Sequence, residues 1–226
     1  MIAVQELQDR SRTPRFIVVE GPIGVGKTSL ATRLAESFSG ELVLEQVEQN
    51  PFLEQFYKSR RTAALPAQLF FLFQRARQLE ELRQSDMFAQ VRIADFHIAK
   101  DRLFAELNLS RDELDLYDRI YDKLDMKVPE ADLVVYLQAS VDSLMTRIAE
   151  RGIAYERKID RAYMEKLTDA YARYFHRYDE TPLLIVNASS IDLVRSEADY
   201  EALFEQISGI SGGRHFFNPA AAVAFA

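Results

Sequence analysis

Phe16-Ile17-Val18-Val19-Glu20-Gly21-Pro22-Ile23-Gly24-Val25-Gly26-Lys27-Thr28 decides the fold. A short apolar run passes into a glycine-rich loop and then into a helical pattern. The loop fits G-x-x-x-x-G-K-[ST] without mismatch. The spacing has a chemical reason. Gly21 and Gly26 let the backbone turn so that loop N–H groups point at a phosphate chain. The helix that starts near Lys27 adds its positive end. Lys27 reaches the β- and γ-phosphates, and the Thr28 hydroxyl ligates Mg²⁺. Gly21, Pro22, Ile23, Gly24, Val25, Gly26, Lys27, Thr28 and Ser29 are therefore the expected ATP-binding loop. ATP and Mg²⁺ are the expected donor and cofactor.

The rest of the chain fits a nucleotide-handling enzyme. A chain of 226 residues can bury a sizeable core in one domain. A net charge of −7 argues against a surface that grips nucleic acid. There is no cysteine, which excludes disulfide and thiolate chemistry, and three scattered histidines offer no metal-ligand spacing. No apolar run approaches the ~20 residues of a membrane span, and the first residues lack an apolar signal core. A cytoplasmic protein is the expectation.

Outward from the loop, apolar patterning alternates between strand and helix. Residues 16–20, 41–47, 91–95, 133–137 and 183–186 read as strands. Residues 27–38, 68–83, 101–107, 112–124, 141–151, 160–178 and 196–207 read as helices, with Pro66 interrupting the pattern before the second. The pattern predicts an α/β protein of the P-loop NTPase fold, a five-stranded parallel sheet flanked by helices. Residues 1–14 read as a flexible arm and 15–208 as the one folded domain. Residues 209–226, with Phe216, Phe217 and Phe225, read as a tail that is flexible or packed by a partner.

Parallel strands share one carboxyl edge, and ligands bind outside it. The phosphate loop, Glu45 and Asp95 all end predicted strands and so meet at one crevice. Phosphoryl transfer needs a group to orient the attacking hydroxyl, Mg²⁺, and positive charge on the migrating phosphoryl. Glu45 suits the first role and Asp95 a water-mediated hold on Mg²⁺; taken singly they also read as a loop glutamate and a helix N-cap. Arg147 and Arg151 share a helix face that runs into Gly152 and Arg157, which suits a small arginine lid over phosphates. No Asn-Lys-x-Asp segment reads guanine and no strand ends in Asp-Glu, so switch GTPases and large ATPase machines fit poorly. A small-molecule kinase remains.

Four segments taken in order resemble the deoxynucleoside kinase family, bacterial deoxyadenosine/deoxyguanosine type, over residues 15–207. They are Glu20-Gly21-Pro22-Ile23-Gly24-Val25-Gly26-Lys27-Thr28, then Leu44-Glu45-Gln46-Val47-Glu48, then Gln68 with Arg75 in one helix. The fourth is Tyr136-Leu137-Gln138-Ala139-Ser140 followed by Arg147-Ile148 and Arg151-Gly152. The resemblance implies that Glu45 is the base on the 5′-hydroxyl and that Tyr57 and Glu156 hold the sugar 3′-hydroxyl. It implies that Gln68 reads the base edge, with Arg75 and Asp101 near it and Phe70, Phe71 and Phe96 available for stacking. It also implies a homodimer. Three positions depart from the family pattern. Ala94-Asp95-Phe96-His97 stands where Glu-Arg-Ser is common, Gln46 replaces a proline, and Ile153 replaces a lid arginine. Whether Arg102 supplies the missing charge stays open at this level. The expected reaction is ATP-dependent 5′-phosphorylation of deoxyadenosine or deoxyguanosine. A thymidylate-type monophosphate kinase and a non-catalytic nucleotide-binding regulator are the alternatives.

Overall fold

The computed structural model describes residues 14–84, 91–124, 126, 128–189, 191–193 and 196–219. The expected arm falls almost wholly outside these residues, as does Phe225. The chain order is β1 (Phe16–Glu20), α1 (Lys27–Ser37), β2 (Glu41–Val43), α2 (Leu53–Lys58), α3 (Arg60–Gln84), β3 (Arg92–Ala94), α4 (Ala99–Asn108) and α5 (Arg111–Lys123). It continues through β4 (Leu133–Gln138), α6 (Val141–Arg151), α7 (Arg161–Arg177), β5 (Leu183–Asn187), α8 (Glu197–Ser208) and β6 (Arg214–Phe217). Short 3₁₀ turns lie at Val47–Gln49 and Glu156–Lys158.

All pairs in the sheet are parallel, in the order β2-β3-β1-β4-β5-β6. Central strands covered on both faces need apolar side chains at every position, not at alternate ones. Ile17, Val18 and Val19 of β1 and Leu133 to Leu137 of β4 accordingly form the buried centre, with Leu30, Leu34, Leu144, Met164, Leu167 and Leu203 supplied by the helices. Each such side chain contributes roughly 1.5–3 kcal/mol on leaving water.

Three expectations need correction. The sheet has six strands, not five, because Arg214–Phe217 of the expected tail adds to β5. Main-chain pairing holds this strand, Phe217 packs against the core and Phe216 stays exposed, so no apolar run announces it. The second strand stops at Val43 instead of 47. Beyond it the backbone groups leave the ladder: Gln78 donates to the Leu44 carbonyl (2.9 Å), Gln74 to that of Gln46 (3.1 Å), and the Glu45 N–H donates to Asp95. Pro66 does not interrupt a helix; α3 runs through it, since a proline removes only one internal donor. The break falls at Ser59, whose backbone is extended.

Candidate active site

The phosphate loop joins β1 to α1 at the carboxyl edge of the sheet. A Cβ at Gly21 would lie 2.3 Å from the Leu137 carbonyl, and its φ is +153°, so only glycine fits against β4. Gly26 takes φ +103° at the N-cap of α1. Lys27 Nζ donates to the carbonyls of Gly21 (2.8 Å) and Pro22 (3.2 Å). Burial pushes its pKa down to about 8, and Lys100 adds to the effect against the opposing pull of Glu20, Glu45 and Asp95.

The buried Glu20 braces this loop from below. Its carboxylate accepts from Gly21 N (2.8 Å), Tyr171 OH (3.0 Å) and His97 N (2.7 Å). One side chain thus ties β1 to α7 and to the segment after β3.

Beside the loop lies a cavity of about 370 Å³. Lys27, Thr28, Asp95 and Glu45 line it together with Gln68, Phe71 and Arg75 of α3; Tyr57, Arg151, Tyr155 and Glu156 are also in its wall. Thr28 Oγ1 donates to Asp95 Oδ2 at 2.6 Å, and Glu45 N donates to Asp95 Oδ1 at 2.7 Å. The Glu45 carboxylate pairs with Arg75 on one oxygen and Lys100 on the other. Burial works against its ionisation, but Lys100 and Arg75 outweigh it and hold its pKa at about 2.

Behind Gln68 and Arg75 sits Asp101, fully buried on α4. It accepts Gln68 Nε2 on its main-chain oxygen (2.8 Å) and on Oδ1 (2.6 Å), Arg75 on Oδ1 (2.5 Å) and Tyr117 OH on Oδ2 (3.2 Å). Burial pushes its pKa up to about 6, with Arg75 pulling the other way. Asp101 therefore orients the two side chains and does not itself line the cavity. Arg151 makes a bidentate pair with Glu156 (2.6–3.0 Å) at the cavity wall, and Tyr57 stacks on Tyr155 (5.6 Å between centroids, 12° between planes).

Not every expected residue reaches the cavity. Phe96 packs in the hydrophobic core and Phe70 is outside the wall; Phe71 alone of the three faces the cavity. Arg147 is taken up by the carbonyls of Val25 (3.3 Å), Ala188 (2.7 Å) and Ile191 (3.2 Å), so it ties the phosphate loop to the end of β5. Arg157 is exposed, and Arg102 is half exposed, facing Glu106 and Asp118 instead of the cavity. Sequence reasoning missed Lys100, Tyr155 and the aromatic wall of Phe56 and Phe104. A basic residue beside Asp101, one short loop beyond a strand-ending acid, was the available signal for Lys100.

Hard oxygen ligands suit Mg²⁺. The converging Thr28 hydroxyl and Asp95 carboxylate fit it as a pair. Among the described residues no cluster of three acidic or histidine side chains exists to hold an ion alone. No helix among them is long and apolar enough to cross a membrane.

A parallel sheet with a phosphate loop at its carboxyl edge, beside a cavity holding a paired carboxylate, defines a P-loop phosphotransferase for a small acceptor. More narrowly, the chain belongs to the deoxynucleoside kinase family, whose model matches residues 17–210. It is 38% identical to a deoxyguanosine kinase of Bacillus subtilis over 84% of this chain and 95% of that one. It is 27% identical to a deoxyadenosine/deoxycytidine kinase of the same species, over 86% and 92%. The solved structure of deoxyadenosine kinase from M. mycoides with the products dCMP and a flexible dCDP superposes with a TM-score of 0.76, at 25% identity, covering 86% of this chain and 100% of that one.

Proposed function

We propose that this kinase transfers the γ-phosphoryl of ATP to the 5′-hydroxyl of a purine deoxynucleoside, deoxyguanosine or deoxyadenosine. The observation that carries the reading is the position of Glu45. Its carboxylate is in one cavity wall with the phosphate loop and is hydrogen-bonded to Arg75, the partner of the base-side Asp101. A nucleoside with its base at Gln68 brings its 5′-oxygen toward the loop. The purine preference draws on the deoxyguanosine and deoxyadenosine kinases among the relatives.

In this mechanism Lys27 and the loop amides bind the phosphates. A Mg²⁺ ion carried on the triphosphate, held by Thr28 and Asp95, would neutralise charge on the β- and γ-oxygens. Glu45, ionised at neutral pH, accepts a hydrogen bond from the 5′-hydroxyl and takes its proton as the oxygen attacks phosphorus. Tyr57 and Glu156 hold the sugar. Arg151, anchored on Glu156, is the lid arginine within reach of phosphate, and Arg147 positions the loop through Val25. A cytoplasmic homodimer belongs to the same reading; exposed Phe73 on α3 and Leu116 on α5 support the dimer, and sedimentation as a monomer would exclude it.

The test is a phosphoryl-transfer assay with Mg-ATP against the four deoxynucleosides, the ribonucleosides and thymidine monophosphate. Turnover of deoxyguanosine or deoxyadenosine is expected. Turnover of the monophosphate alone would replace this reading with a monophosphate kinase.

A further inference from the structure

Lys100 is a cation of the cavity with no role so far. It stands in the first turn of α4, where the positive end of the helix disfavours a basic residue. Its side chain is only 10% exposed, which adds a desolvation cost. It nonetheless lines the cavity, donates to Glu45 Oε2 and lies over the Phe104 ring at 5.7 Å. Glu45 has Arg75 as a second buried partner, a guanidinium that it shares with Asp101. An ammonium carries three donors, and Glu45 takes one.

Lys27 lines the same cavity, and the charge of Lys100 works against that of Lys27. Two ammonium groups in the wall of one cavity repel. An anion between them turns the repulsion into binding. The migrating phosphoryl carries such charge on its equatorial oxygens. Arg102, the other nearby cation on α4, is engaged elsewhere.

We propose that Lys100 is a catalytic residue: held at Glu45, it shares the cavity wall with Lys27 and donates to the phosphoryl group as that group passes to the acceptor hydroxyl. This rests on the functional reading above. In the step the 5′-oxygen forms its bond to the γ-phosphorus and the bond from that phosphorus to the β–γ bridging oxygen breaks. That electron pair leaves with ADP, the hydroxyl proton goes to Glu45, and Lys100 keeps its own protons.

The test is Lys100→Met beside Lys100→Arg, with kcat and KM measured under saturating ATP and the affinities for ATP and ADP measured by calorimetry. Lys100→Met should lower kcat about 10²–10³-fold, the usual loss for one transition-state donor. The nucleoside KM should change far less. ATP affinity should fall more than ADP affinity, since only ATP carries the terminal phosphate, and Lys100→Arg should restore a large part of kcat. If Lys100→Met loses ADP binding, Lys100→Gln takes its place with the same criteria. A neutral variant that binds ADP normally and keeps wild-type kcat overturns the proposal. If the wild-type enzyme turns over no deoxynucleoside, the functional reading falls. The comparison of ATP with ADP then decides the phosphate contact, and equal affinities before and after substitution overturn it.

Discussion

The main-chain N–H of Glu45 donates to Asp95 Oδ1 at 2.7 Å. The loop after β2 therefore hangs from the end of β3. The other Asp95 oxygen accepts the Thr28 hydroxyl at 2.6 Å. One carboxylate thus sets the phosphate loop and the acceptor-side glutamate at a fixed separation, and phosphoryl transfer depends on such positioning more than on covalent chemistry.

Glu45→Gln keeps the shape and removes the charge. It should lower kcat about 10²–10⁴-fold, the range for loss of a general base, while ATP still binds in calorimetry. It also leaves Arg75 and Lys100 facing a neutral amide. Breaking a buried pair costs roughly 3–5 kcal/mol, so the melting temperature should fall as well. Turnover near that of the wild type would remove Glu45 from its role.

Gln68→Ala addresses the base. Gln68 Nε2 is committed to two oxygens of Asp101, which leaves Oε1 as the group free to accept from an N–H on the base edge. Loss of this acceptor, and of the packing at Asp101, should raise the nucleoside KM about 10–100-fold, the equivalent of roughly 1–3 kcal/mol. The KM for ATP should stay unchanged. Equal losses for both substrates would mark a fold defect in place of base recognition.

The lowered pKa of Lys27 predicts a pH dependence of donor binding. Its protonated form binds phosphate, and its pKa is about 8 in the free protein. Bound phosphate raises that value, so binding takes up a proton above pH 8. ATP affinity should be level from pH 7 to near 8 and then weaken, by up to about tenfold per pH unit. Calorimetry in buffers of different ionisation enthalpy would detect the proton uptake. An affinity level through pH 9.5 would contradict it.

Much of the fold is legible in the chain because its signals are local. The apolar run 16–20 followed by the glycine loop places β1, the loop and α1, and Gly152 ends α6 where the sequence suggests, in the left-handed conformation. The sixth strand is not legible, since Arg-His-Phe-Phe becomes a strand only by pairing with β5. The end of β2 is hidden for the related reason that side chains from α3 and β3 take its backbone groups.

A phosphate loop, a parallel α/β sheet and a carboxylate just beyond the second strand can all be read from the chain, because each follows from residues adjacent in it. Which cations serve that carboxylate is set by long-range packing. Lys100 and Arg75 lie 55 and 30 positions beyond Glu45 and meet it through helix packing. The tertiary structure also set Phe96 in the core, turned Arg147 toward three carbonyls and put Asp101 behind Gln68. The direction of a side chain at a helix or strand end depends on the neighbours it packs against, and those neighbours come from distant parts of the chain.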